Sequence, residues 1–163
     1  MQLGGQDLTA LSPSARTRAG LGRAFQLTNL FPNLSVLENV RLAVQATQGG
    51  PHRRGLNLWS IWSDHRHLTE RAESILRSVA LFERCDTPVA SLPHGDQRKL
   101  EVALLMALRP KVYLFDEPTA GMSVDEVPVV LDLIRDLKRE GGHGVLLVEH
   151  KMDVVRELAD RIV

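Results

Sequence analysis

The sequence predicts an α/β fold in which a parallel sheet is joined to a layer of helices. Two short runs, Val112-Tyr113-Leu114-Phe115 and Val145-Leu146-Leu147-Val148, have the unbroken apolar, β-branched and aromatic character of strands buried on both faces. A helical pattern over 127–140 separates them, so the second half of the chain reads as a βαβ unit. Between 35 and 107 the apolar residues instead recur at helical spacing, which places a helical layer in the middle of the chain.

Each element follows from local chemistry. Ser12-Pro13 opens a short helix by cap geometry and Gly20 stops it, after which 21–26 reads as a strand ending at Gln26. The turn residues Phe31-Pro32-Asn33 lead to Ser35 and Glu38, a capping box, and to a helix reaching about Ala46 whose apolar face is Val36, Leu37, Val40 and Val44. The stretch 48–63 carries glycines, basic residues and both tryptophans, Trp59 and Trp62, and reads as a variable excursion. Leu68, Ala72, Ile75, Leu76 and Val79 set a helix over 64–80. A loop over 88–95 gives way to a helix beginning near Asp96, with Leu100, Ala103, Leu104 and Ala107 on its apolar face and Pro110 at its end. The strand 112–116 follows, then a helix opened by Ser123-Val124-Asp125-Glu126, a linker over 141–144, a strand over 145–149 and a helix over 152–159. Arg161-Ile162-Val163 reads as a further strand beginning, so the pattern is expected to continue past the last residue.

The composition narrows the class. Of 163 residues, 44% are hydrophobic and 25% charged, as in an ordinary globular domain. Twenty basic and twenty acidic side chains cancel, so no net charge draws the chain to nucleic acid or anionic lipid, and no nucleic-acid partner is expected. No apolar stretch approaches the roughly 20 residues of a bilayer span. The first ten residues lack the basic start and apolar core of a signal peptide, and the lone Cys85 has no internal disulfide partner, so a cytoplasmic location is expected. Cys85 reads as an ordinary surface or half-buried thiol, and His52, His65 and His67 as surface residues.

The most informative residues are Asp116 and Glu117, at the end of the 112–115 run and followed by Pro118 and Thr119. A buried strand delivers both carboxylates to the C-terminal edge of the sheet, where ligands bind in open α/β folds. There they are either two solvated loop acids or a pair that divides the holding of Mg²⁺ and the activation of water.

Four segments in order carry a resemblance: Ala24-Phe25-Gln26, Leu92-Pro93-His94-Gly95-Asp96-Gln97-Arg98, Val112 through Thr119, and Leu147-Val148-Glu149-His150. Together they resemble an ABC-transporter ATP-binding subunit over nearly the whole chain. The resemblance implies an incomplete P-loop NTPase (ABC ATPase) core with a parallel sheet plus an inserted helical subdomain. It divides the chain into 1–34, the end of the N-terminal core lobe with the Q-loop, 35–107, the helical subdomain and signature helix, and 108–163, the C-terminal part of a RecA-like core.

By the same resemblance Asp116 is the Walker B aspartate that holds Mg²⁺, Glu117 the carboxylate that orients and deprotonates the attacking water, and His150 the switch histidine that donates to a γ-phosphate oxygen. Gln26 is the Q-loop glutamine, offering its oxygen to Mg²⁺ or water. Leu92, Pro93, His94, Gly95, Asp96 and Gln97 form the signature loop, which meets ATP on a second ATPase subunit, in a homo- or heterodimer. Ala120, Gly121, Met122 and Ser123 form the D-loop.

The chain departs from the family pattern in three places. Pro93 has neither a hydroxyl nor an N–H to give to a phosphate, and His94 is expected to supply a compensating donor. Ser123 stands where many relatives have an aspartate. No segment reads Gly-x-x-x-x-Gly-Lys-Ser/Thr, the loop that wraps the phosphates, while Gly4-Gly5-Gln6-Asp7-Leu8 resembles the stretch beyond it. The expectation is a chain shortened at both ends and inactive alone.

Gly22-Arg23-Ala24-Phe25-Gln26 and Asp116-Glu117-Pro118-Thr119-Ala120-Gly121-Met122 look like the subunits that power branched-chain amino acid import, with urea and amide importers as rivals. This implies ATP and Mg²⁺ as cofactors of the complete protein and transmembrane permease subunits as direct partners. A periplasmic binding protein would be an indirect partner, and the location would be cytoplasmic, on the inner face of the plasma membrane. The alternatives are a non-hydrolysing remnant or docking fragment and, less favoured, a soluble ABC ATPase of DNA repair or translation.

Overall fold

A computed structural model describes residues 2–24, 30–48 and 60–162, with no side-chain description for 48 and 60–65. A small antiparallel hairpin, β1 (Gln2–Leu3) and β2 (Gln6–Asp7), precedes α1 (Pro13–Arg18). Ser12 caps α1 through a hydrogen bond from the Ala15 N–H, with Pro13 in the first turn, as the cap chemistry requires. Gly20 follows at φ +108, and β3 (Leu21–Ala24) begins.

Three helices form the expected middle layer: α2 (Val36–Gln48), α3 (Ser60–Ser78) and α4 (His94–Leu108). The capping box is half formed, because the Glu38 N–H donates to Ser35 Oγ while the Glu38 carboxylate pairs with Arg41 one turn on. Val36, Val40 and Val44 of α2 meet Leu68, Ala72 and Leu76 of α3 and Leu100 and Ala103 of α4 in one buried cluster. The 3.6-residue period picks out most of this core, but Leu37, Ile75 and Leu104 of the expected faces are only half-buried, and α4, packed on more than one side, also buries Val102 and Leu105 off its expected stripe.

A three-stranded parallel sheet in the order β3-β4-β5 carries the rest, with β4 (Val112–Asp116) in the centre and β5 (Gly144–Val148) on its flank. Between them α5 (Val127–Glu140) buries Val130, Leu131, Leu133, Ile134 and Leu137, and α6 (Met152–Leu158) follows β5.

Several expectations shift. The helix at 94 starts two residues earlier than expected, at His94, because Pro93 is extended and sits at its N-cap. β4 was expected to be buried on both faces, yet only Tyr113 and Phe115 are buried while its other residues are half-exposed. β5 departs further: Leu146 and Val148 are 56% and 50% exposed, because among the described residues no strand pairs with its outer edge and no element covers that face. The strand expected from Arg161 is not formed at 161–162, where no neighbouring strand offers a ladder. Residues 25–29, which include Gln26, lie outside the described residues.

Candidate functional site

The C-terminal edge of the sheet gathers three of the expected site residues. β4 ends at Asp116, and the next residue, Glu117, adopts φ +51, the left-handed region that a non-glycine residue enters at an energetic cost. Two backbone hydrogen bonds hold it there: its N–H donates 2.9 Å to Val148 O at the end of β5, and its carbonyl accepts from the Ala120 N–H at 3.1 Å. The turn swings the Glu117 side chain across the edge, where Oε1 lies 3.0 Å from Nε2 of His150, two residues past β5. His150 is 83% and Glu117 47% exposed, so both open onto solvent where a ligand can enter.

Asp116 faces the other neighbouring strand. Its Oδ2 accepts from Nη2 of Arg23 on β3 at 3.0 Å. Adjacent acids therefore have different partners, a guanidinium for Asp116 and an imidazole for Glu117. Among the described residues no cluster of three or more His, Cys, Asp or Glu side chains forms a closed metal cage. The donor set of Asp116 still suits Mg²⁺, which keeps several waters and is commonly bound through one or two carboxylates plus substrate phosphates, although Asp116 Oδ2 is engaged by Arg23 here.

A third carboxylate, Glu149, ties together the loops at this edge and escaped the sequence reading. Its Oε1 accepts from Thr119 Oγ1 at 2.6 Å and from the Thr119 N–H at 3.2 Å, and its Oε2 from the N–H groups of His150 and Lys151. Burial opposes its ionisation, but the hydrogen bonds from Thr119, Lys151 and His150 outweigh it and hold the Glu149 carboxyl below its usual range. Lys151 Nζ also reaches Thr119 O. The loops after β4 and β5 are thus stapled together beside the Glu117–His150 pair. A threonine three residues past one strand and an acid directly after its neighbour form a signal that appears only once the two strands are known to be adjacent.

The signature-loop residues lie elsewhere, at the start of α4. Leu92 is buried, Pro93 caps the helix without a side-chain hydrogen bond, and His94 is exposed. Asp96 is engaged internally, with Oδ1 2.9 Å from Lys99 Nζ and Oδ2 3.0 Å from Arg84 Nε, and Gln97 folds back to donate to Leu92 O. Gly95 is packed so closely by Glu126 that a Cβ would stand 1.9 Å from Glu126 Oε1. Glu126 is itself held by the N–H and Oγ of Ser123, both donating to Oε2. The Ala120 to Ser123 turn, with Gly121 at φ +71, thereby links the acidic pair to the α4 N-terminus.

The family model described as "ABC transporter" matches residues 1–120. The chain belongs to the ABC transporter family. Within that family it is 32% identical over 158 residues to the high-affinity branched-chain amino acid transport ATP-binding protein LivG of Escherichia coli strain K12, spanning 96% of this chain and 62% of LivG. To the methionine import ATP-binding protein MetN of Myxococcus xanthus it is 33% identical over 160 residues, 97% of this chain and 44% of MetN. This ABC family chain therefore spans less than two thirds of the length of those relatives. Among solved structures, the cassette MJ0796, a dimer bound to ADP and Pi in a post-hydrolysis state, superposes with a TM-score of 0.75 at 24% identity, covering 94% of this chain and 63% of MJ0796. The ADP conformation of the cassette MJ1267 gives 0.71 at 24% identity, over 95% of this chain and 60% of MJ1267. The fold is that of an ABC ATP-binding cassette: α/β, with a parallel sheet and packed helices.

Proposed function

We propose that these residues belong to the ATP-binding and ATP-hydrolysing subunit of a prokaryotic ABC importer for branched-chain amino acids. The observation that carries the proposal is the Glu117–His150 contact at 3.0 Å beside Asp116, on the open C-terminal edge of a parallel sheet. In this reading Glu117 takes a proton from the attacking water, and His150, hydrogen-bonded to Glu117, steadies the carboxylate and presents its ring to the terminal phosphate. Asp116 holds Mg²⁺, which would neutralise charge on the phosphate oxygens. Gln26 contributes from the segment after β3, and the α4 N-terminus, with Gly95 and His94, serves the nucleotide of a second ATPase subunit. The helical layer docks transmembrane permease subunits, and the subunit works on the cytoplasmic face of the membrane. Among the described residues no helix is long and apolar enough to cross a bilayer.

The 163 residues contain no Gly-x-x-x-x-Gly-Lys-Ser/Thr loop, so by themselves they are proposed to show no ATPase above background. A hydrolysis rate of the isolated chain that disappears in Glu117→Gln would overturn that statement. In a protein where such a loop accompanies these residues, Glu117→Gln lowers turnover by about 100-fold or more while nucleotide binding persists. A loss below about 10-fold would remove Glu117 from the role of general base. Reading the DNA upstream of Met1 separates this function from a non-hydrolysing remnant: an in-frame phosphate loop supports the enzyme, and an immediate stop codon supports the remnant.

A further inference from the structure

Arg23 pairs with one carboxylate and shares a cavity with another, and the two acids have different needs. It leaves β3 with its side chain 52% exposed and pairs with Asp116 at 3.0 Å. The same side chain lines a cavity of about 390 Å³ between β3, α2 and α4, walled by Phe31, Leu42, Leu104 and Leu108. Glu101 of α4 lines that cavity as well, and its side chain is only 6% exposed. Glu101 Oε2 accepts from Arg98 Nη1 at 3.2 Å, but Oε1 is buried and has no hydrogen-bond partner among the described residues. A buried carboxylate oxygen without a donor is costly, and burial pushes the Glu101 carboxyl upward against the pull of Arg98. The open cavity thus holds one guanidinium already used at the sheet edge and one acid in want of a donor.

We propose that Arg23 is an exchangeable counter-ion, pairing with Asp116 when no divalent cation is bound and turning across the shared cavity to Glu101 Oε1 when a cation takes Asp116. The inference rests on the reading of Asp116 as the metal-holding acid. A guanidinium 3.0 Å from a carboxylate oxygen repels an incoming dication and occupies a lone pair that the dication needs. Arginine suits the exchange because it stays charged in every setting and its planar fork can address either acid. Glu101 lowers the cost of the move, since its orphaned oxygen gains the donor it lacks. The two acids and the arginine come from three separate elements, β4, α4 and β3, so the exchange ties the helical layer to the acidic edge of the sheet.

Mn²⁺ is the probe, added to the full chain and followed by paramagnetic broadening of the Asp116 and Glu117 amide resonances. Arg23→Gln is expected to tighten Mn²⁺ binding about two- to five-fold, the range set by an exposed ion pair, and the gain should shrink as salt is raised. Glu101→Gln is expected to weaken binding by a similar factor, because Arg23 then has no second acid to go to. The double variant should bind like Arg23→Gln, an epistasis that a merely structural role of Glu101 would not produce. Thermal unfolding of each variant checks that the fold is kept. With diamagnetic Mg²⁺, the Arg23 Nε–H resonance should shift in the unsubstituted chain and stay in place in Glu101→Gln. Equal Mn²⁺ affinity in the unsubstituted chain and Arg23→Gln, with binding lost in Asp116→Asn, overturns the exchange and leaves the metal reading standing. Broadening unaffected by Asp116→Asn, or absent from every variant, overturns both.

Discussion

Replacing Thr119 by valine tests the brace at the acidic edge. Thr119 is 1% exposed and its hydroxyl donates to Glu149 Oε1 at 2.6 Å, while valine keeps its shape and deletes only that bond. A hydrogen bond to a charged group contributes about 1.5–3 kcal/mol, and the partial exposure of Glu149 with its three backbone donors moves the expectation to about 1–2 kcal/mol. For a chain of this size each kcal/mol shifts the melting temperature by about 2–4 °C, so Thr119→Val should melt about 2–8 °C lower at neutral pH. The charge state of Glu149 adds a pH signature. Its pKa is held below the unfolded value by the Thr119, Lys151 and His150 hydrogen bonds against burial, so its stabilisation is fully present above the ordinary carboxylate range and is lost as pH falls through the folded value. The gap between the parent chain and Thr119→Val should therefore narrow as the pH falls below about 4. The measurement is circular dichroism melting across that range, with Glu149→Gln and the double variant completing a cycle. A coupling within about 0.3 kcal/mol of zero, or a gap unchanged in acid, would refute the reasoning.

Further outcomes follow from the packing. Gly95→Ala places a Cβ 1.9 Å from Glu126 Oε1, so Glu126 must leave and give up its bonds to Ser123, lowering stability by about 1–2 kcal/mol. Adding Glu126→Ala should recover most of the effect of the alanine, and a double variant as unstable as the sum would show that the clash is elsewhere. Leu100→Ala empties the centre of the helical layer, where Leu100 is fully buried against α2 and α3, and should cost about 3–5 kcal/mol in denaturant titration. A loss below about 1 kcal/mol would mean that the layer collapses onto the gap.

Residues whose environment follows from period and neighbours were legible in the sequence. Val36, Val40, Val44, Leu68, Ala72, Leu76 and Leu100 mark their helices and their core faces, and all are buried where the pattern put them. The α1 cap at Ser12-Pro13 and the acidic end of β4 follow from local chemistry in the same way. β5 misled for a physical reason: an apolar run records the surroundings a strand is suited to, and among the described residues no element covers its outer edge and one face. Arg161 and Ile162 misled for the same cause, since a strand needs a ladder partner as well as β-forming side chains.

The sequence by itself determined the fold class, the helical layer and the placing of Asp116, Glu117 and His150 at strand ends, because hydrophobic period and turn chemistry act over a few residues. Only the tertiary structure decided what those side chains meet. The β3-β4-β5 order sets Arg23 against Asp116 and His150 against Glu117, across 93 and 33 residues of chain respectively. The same order brings Thr119 to Glu149, while the loop leading into α5 sets Glu126 against Gly95 at the start of α4. Such pairings depend on which strands lie side by side and on a left-handed turn at Glu117, and neither is written in the residues that immediately flank them.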